Sequence, residues 1–305
     1  MTPAEQSGEV QALLYGTLAP DPGEPAGAVK AYLLTQEQFQ RAWSRIEAGP
    51  SRGAPDFDPH ALLDDVLRAR RRAVVLYPMS RHAWQGVGEF LWRRYHWRPR
   101  RADLQEAVTA YTRAAELLVP YGTARMGGRD FHALATYIAR GLAALSDTAA
   151  LDAFFSNVRG SALWEGARPT YVVALALLND PRADGMFREQ LAECPQFPWS
   201  YVDYLIDRRR YEEALRLVEG TPQLIPGGNP PRRYPSDHAQ RGALLERLGR
   251  SAEAGAEYRQ YFAAIGQSSW LQHTVQERYR VDGSPLQAGM KFHRNVDTLP
   301  APRDE

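Results

Sequence analysis

The segment His82-Ala83-Trp84-Gln85-Gly86-Val87-Gly88-Glu89-Phe90-Leu91, introduced by Tyr77-Pro78 and continued by Ala107-Val108-Thr109-Ala110-Tyr111-Thr112-Arg113-Ala114, decides the fold. Its apolar residues recur every three to four positions, the period of an amphipathic helix. Three small residues, Gly88, Ala107 and Ala114, fall where two such helices would face each other, so their backbones can approach closely. Trp84 and Tyr111 supply the bulk that fills the space beside them. The segment therefore reads as two helices packed on each other.

This pair resembles the tetratricopeptide repeat. In that family a Trp and a Leu-Gly pair mark the first helix, an Ala opens the second, and an aromatic and a further Ala follow. Trp84, Val87, Gly88, Leu91, Ala107, Tyr111 and Ala114 match, and Pro78 stands where a preceding repeat would end. The same register extends to Ala150 and Phe154 after an apolar helix from Phe131 to Leu145, and to Ala183 and Phe187 after Tyr171 to Leu178. It recurs at Ala214 after Tyr201 to Ile206, and at Ala254 and Tyr258 after Gly242, Leu245 and Leu248-Gly249. Successive anchor alanines from Ala107 onward lie 43, 33, 31 and 40 residues apart, scattered about the roughly 34 of the family. A further pair precedes them, with Ala61 to Val75 as its second helix and Phe39 to Ile46 within its first.

The resemblance implies an all-α fold: a right-handed superhelical solenoid of antiparallel helix pairs, whose product is an extended surface rather than a catalytic pocket. The chain divides accordingly into an irregular N-terminal segment with one or two helices (1–58), the tetratricopeptide-like repeats (59–266), and a capping helix, Ser268 to Arg280, with an irregular tail (267–305). Residues 16–28 and 48–59, rich in proline and glycine, read as connectors, and Thr221 to Pro235 as a long loop. The tail either folds back over the last helix or stays without order.

Composition bounds the function. Of 305 residues 44% are apolar, enough for a substantial core. A net charge of +1 gives no global pull toward nucleic acid or an acidic membrane. No apolar run approaches the roughly 20 residues of a membrane span, and Met1 to Gln11 is not signal-like. The expectation is a soluble, cytoplasmic protein, with an exported mature form also open. Cys194 is the only cysteine, so no internal disulfide can form. Lys30 and Lys291 are the only lysines; such an arginine bias is usual in a GC-rich genome and warns against reading each arginine as a deliberate phosphate or carboxylate fork, and a bacterial source is expected.

Enzyme signatures are absent: no Gly-x-Ser-x-Gly, no His-Glu-x-x-His, no phosphate-binding glycine loop. We expect no catalysis, no cofactor and no metal. Asp56, Asp58, His60, Asp64 and Asp65 gather like hard-metal ligands, but Asp58-Pro59 is also an ordinary helix start. Gly127-Gly128-Arg129-Asp130 reads as a turn, with Asp130 capping the helix that follows.

Two surfaces carry the functional expectation. If the resemblance holds, the first helices line a concave groove to which Gln85, Glu89, Trp92 and Arg93 contribute, followed in a later repeat by Trp199 and Asp203; such a groove suits a peptide or protein partner. The stretch Trp92-Arg93-Arg94-Tyr95-His96-Trp97-Arg98-Pro99-Arg100-Arg101 interleaves rings with arginines, and His96 and Trp97 join the candidate partner-binding residues on that ground. The basic and asparagine clamp of chaperone-binding members is not evident, because Gln85 and Glu89 occupy its places. The favoured reading is a non-catalytic interaction scaffold, and replacing Trp92 and Arg93 together is expected to abolish partner capture. A nucleic-acid binder is the first alternative, requiring Arg70, Arg72, Arg93, Arg94, Arg98 and Arg101 to form one positive face. A helical-repeat enzyme assembled from distant residues is the second.

Overall fold

A computed structural model describes residues 25–47, 59–121, 127–193, 199–221, 235–265 and 299–304. Among them the chain is all-α, with twelve α-helices and no strand. They fall into two compact units. The first holds α1 (Ala26–Glu47), α2 (Pro59–Leu76), α3 (Arg81–Trp97), α4 (Arg101–Leu118), α5 (Gly127–Leu145), α6 (Thr148–Ser156), α7 (Trp164–Leu177) and the segment 299–304. The second holds α8 (Arg182–Glu193), α9 (Trp199–Asp207), α10 (Tyr211–Gly220), α11 (Pro235–Arg247) and α12 (Ser251–Ile265). No described helix is long and apolar enough to cross a membrane. The expected helix over Ser268 to Arg280 lies outside the described residues, as do Cys194 and Asp58.

In the first unit α3 packs on α4, α4 on α5, and α1 on both α2 and α3. The core cluster joins four of these helices through Phe39 and Ala42, Leu63, Val66 and Leu67, Val87, Phe90 and Leu91, and Ala107 and Ala110. Ser80 starts α3 by accepting a hydrogen bond from the Ala83 amide at 3.1 Å. Trp84 is partly buried against the cluster, and its indole donates to the Pro78 carbonyl at 2.8 Å, tying it to the proline that introduces the motif. The close approach read from Gly88 is real: a Cβ there would lie 2.7 Å from Cδ1 of Tyr111. The second unit uses the same device, since a Cβ on Gly242 would lie 2.4 Å from Cε1 of Tyr258.

Among the described residues one turn occurs three times. The amides of Ser146 and Asp147 donate to Ala143 and Leu142, those of Arg209 and Arg210 to Ile206 and Leu205, and those of Gly249 and Arg250 to Glu246 and Leu245. In each, the first residue is left-handed, with φ of 59°, 56° and 74°. This is the paired 5→2 and 6→1 bonding of a Schellman cap, and it turns the chain directly into the next helix. Two of the turns share a side-chain clasp as well. Arg210 forks onto Glu213 at 2.7 and 2.6 Å, and Arg250 onto Glu253 at 2.8 and 2.7 Å.

The recurrence corrects one register. Counting from the turns makes Leu151, not Ala150, the equivalent in register of Ala214 and Ala254. Burial agrees: Leu151 and Phe155 are 0% and 1% exposed, whereas Ala150 is only half-buried. Two local readings also shift. Helix α1 begins at Ala26, inside the expected connector. Helix α5 begins at Gly127, so Asp130 lies within its first turn and, instead of capping it, pairs with Arg81 at 3.4 Å.

Candidate functional site

Helix α3 carries six of the eight candidate residues. At helical spacing Gln85, Glu89, Arg93 and His96 share one stripe, with Trp92 at its edge. A polar chain ties the start of this stripe to the neighbouring helices. Arg81 donates to Oε1 of Gln85 at 2.8 Å, Gln85 donates to Oε1 of Glu89 at 2.8 Å, and the Tyr32 hydroxyl of α1 donates to Oε2 of Glu89 at 2.8 Å. The Asp130 carboxylate of α5 completes it through Arg81. Burial, then the Glu89 charge and the hydrogen bond to it, push the Tyr32 phenol far above its ordinary pKa, so it remains a donor.

Beneath this chain lies Arg70 of α2, 1% exposed. It donates to the Gly86 carbonyl and, at 2.5 Å, to Oε1 of Gln36. Its guanidinium lies over Phe39 and Phe90, 5.7 and 6.0 Å from the ring centroids. Burial pulls its pKa below the ordinary guanidinium value, while the Glu89 charge works the other way. Arg70 thus locks three helices together and holds Glu89 in a cationic setting.

Trp92 is 7% exposed, which makes it largely a core residue. It stands edge-on to Tyr137 and Tyr111, with centroids 5.0 and 6.1 Å away, and those two rings stack at 4.8 Å. Replacing Trp92 would therefore open the core, so it cannot serve as a clean surface probe. Arg93 is exposed, with its guanidinium 5.1 Å above the Phe39 ring. His96 is exposed as well, its Nδ1 2.8 Å from the Trp92 carbonyl. The side chains of Trp97 and Trp199 lie outside the described residues. Asp203, on α9 of the second unit, is 8% exposed.

Two arginines of the basic stretch, Arg94 and Arg101, and two of the preceding helix, Arg68 and Arg71, are paired with carboxylates. Arg94 makes two bonds to Asp103, at 2.8 and 2.5 Å, and reaches Asp64 at 3.2 Å. Arg71 is forked onto Glu106, Arg68 pairs with Asp65, and Arg101 pairs with Asp304. The acids Asp64 and Asp65 of the metal-like cluster are thus engaged by arginines. Among the described residues no group of three His, Cys, Asp or Glu could hold a metal ion.

The buried cluster of Tyr32, Arg70 and Arg81 was not legible as a site in the sequence. Its one signal was the density of arginines, and periodicity cannot tell which of them turns inward. What remains accessible is a preorganised stripe: a carboxylate at Glu89 held by two donors, then a guanidinium at Arg93, then an imidazole at His96. No known family model matches the chain, and no curated protein matches it by sequence.

Proposed function

We propose that the chain is a non-catalytic interaction scaffold of tetratricopeptide-like helix pairs, a right-handed solenoid that binds a peptide or protein partner through the α3 stripe. The observation that carries the reading is the ordered set Gln85, Glu89, Arg93 and His96, mixed in charge, with the Glu89 carboxylate held by Gln85 and Tyr32. A surface offering an acceptor, a cation and an imidazole within three helical turns suits a polar peptide segment. The repeat character is supported by the recurring turn, the repeated Arg-Glu clasp and the two glycine-tyrosine approaches. The nucleic-acid reading needs a continuous positive face. Burial of Arg70 and pairing of Arg94 and Arg101 with carboxylates weigh against it.

The test is affinity capture from lysate with wild type and an Arg93→Glu/His96→Ala variant, with and without nuclease. Both residues are exposed, so helicity should be unchanged. A protein retained by wild type, lost by the variant and indifferent to nuclease supports the reading. Equal capture by both, or loss of all capture on nuclease treatment, refutes it.

A further inference from the structure

The segment Leu299–Asp304 lies along the turn between α3 and α4. The Arg303 amide donates to the Pro99 carbonyl at 2.7 Å, and the Arg101 amide donates to the Arg303 carbonyl at 2.9 Å. This makes a parallel bridge between Arg100 and Arg303. The Tyr95 hydroxyl donates to the Pro300 carbonyl, and Arg101 Nε meets Asp304 Oδ1 at 2.5 Å. Tyr95 is 0% exposed with the segment in place, so its hydroxyl has its partner under cover.

These contacts use groups other than those of the α3 stripe, which they meet only where Tyr95 stands edge-on to His96, ring centroids 6.3 Å apart. Tyr95 lies apart from the Gln85, Glu89 and Arg93 positions, and the other half of the edge is the Pro99–Arg101 turn. What they recognise is simple. One residue must supply both an N–H and a C=O, and so cannot be proline; the next carries a carboxylate; and a carbonyl three residues before the first meets Tyr95. Prolines at 300 and 302 fall where no amide donor is used, and they stiffen the segment, which lowers the entropic cost of docking. All the hydrogen bonds from the peptide's side except the Asp304 pair are main-chain, the mode of strand-addition recognition. The ion pair is exposed, with Arg101 and Asp304 side chains 40% and 79% accessible, so it selects more than it holds.

We propose that Tyr95 and the Pro99–Arg101 turn form a second docking edge, for an extended, proline-containing peptide bearing a carboxylate, and that the chain's own residues 299–304 are its resident occupant. An external peptide of that chemistry binds only when it displaces the resident one. Occupation in cis therefore lowers the apparent affinity for anything in trans.

The test uses the full chain and a blocked, fluorescent peptide Leu-Pro-Ala-Pro-Arg-Asp. In the variant Arg303→Pro the donor to Pro99 is gone and the resident segment is released. Hydrogen exchange at the Arg101 amide should then accelerate at least roughly tenfold over wild type. The peptide, titrated to millimolar concentration, should bind this variant saturably and wild type at least roughly tenfold more weakly. Adding Arg101→Glu should weaken that binding several-fold, while a peptide with proline in place of its arginine should not bind. The proposal is overturned if the Arg101 amide exchanges equally fast in wild type and variant. Absence of saturable binding to the released chain overturns it, as does equal affinity for both chains or indifference to Arg101→Glu.

Discussion

Alanine at Gly88 tests the helix packing that underlies everything else. A Cβ at this position would lie 2.7, 2.8 and 2.9 Å from three atoms of the Tyr111 ring. Comfortable carbon contacts begin near 3.5 Å, so something must move by close to an ångström. Tyr111 cannot easily do so: it is 1% exposed, stacked on Tyr137 at 4.8 Å and edge-on to Trp92. Overpacking of this kind costs about 1–3 kcal/mol. In an unobstructed helix interior the same change would instead gain about 0.5–1 kcal/mol. We expect Gly88→Ala to destabilise the protein by about 1–2 kcal/mol in urea unfolding, net of that gain. Gly166, in α7 of the same unit, is the internal control. A Cβ there meets nothing within 4 Å, so Gly166→Ala should stabilise by about 0.5–1 kcal/mol. Opposite signs for two glycine-to-alanine changes in one unit follow from packing alone. If Gly88→Ala stabilises as much as Gly166→Ala, α3 and α4 are not as close as described and the reasoning fails.

Three further outcomes follow from named contacts. The Tyr32 and Tyr111 phenols are both held far above the ordinary value of about 10, chiefly by burial, so the folded state keeps protons that the unfolded chain releases. Stability is then intact below about pH 10 and falls above it by about 1.4 kcal/mol per pH unit for each tyrosine; Tyr32→Phe should lose less between pH 10 and 11 than wild type does. Asp103→Ala strips Arg94 of two hydrogen bonds at a site where the side chains are 14% and 7% exposed, and should cost about 3 kcal/mol by thermal or urea unfolding. Paired replacement of Arg94 by Met and Asp103 by Leu should cost clearly less. In the second unit, burial works to raise the Asp184 pKa, but hydrogen bonds from Arg210 and Tyr201 outweigh it and hold the carboxyl below the usual range. Its contribution is present above about pH 4 and fades as pH falls through the lowered value, so Arg210→Gln should flatten the acid limb of the stability curve. The groups are partly exposed, and the effect should stay under about 1 kcal/mol.

Helix positions were readable because the small and aromatic residues that permit close approach also repeat in the sequence. Gly88 and Tyr111, and Gly242 and Tyr258, fall within one repeat unit each in the sequence, and in the fold each glycine meets its tyrosine ring. The register around Ala150 was not readable. Alanine is common on exposed helix faces, and only the Schellman turn at Ser146 shows that Leu151 points inward. The candidate site was legible as a helix face but not in depth. Trp92 lies at a groove-type position, yet its burial depends on Tyr137, contributed by a different helix pair. Arg70 is indistinguishable by pattern from Arg71 and Arg72, and what selects it is the Gly86 carbonyl and the two phenylalanine faces above it. Pairing of residues 299–304 with residues 99–101 is set by main-chain groups, which leave no trace in composition.

The central claim is that the α3 stripe meets a protein. It is tested most directly by placing a photoreactive benzophenone amino acid at the exposed position Arg93 and irradiating in lysate, with the same group at the exposed Gly166 as control. The account predicts a covalent adduct from position 93 only, destroyed by protease and untouched by nuclease. An adduct removed by nuclease, or none beyond that seen from position 166, would contradict it.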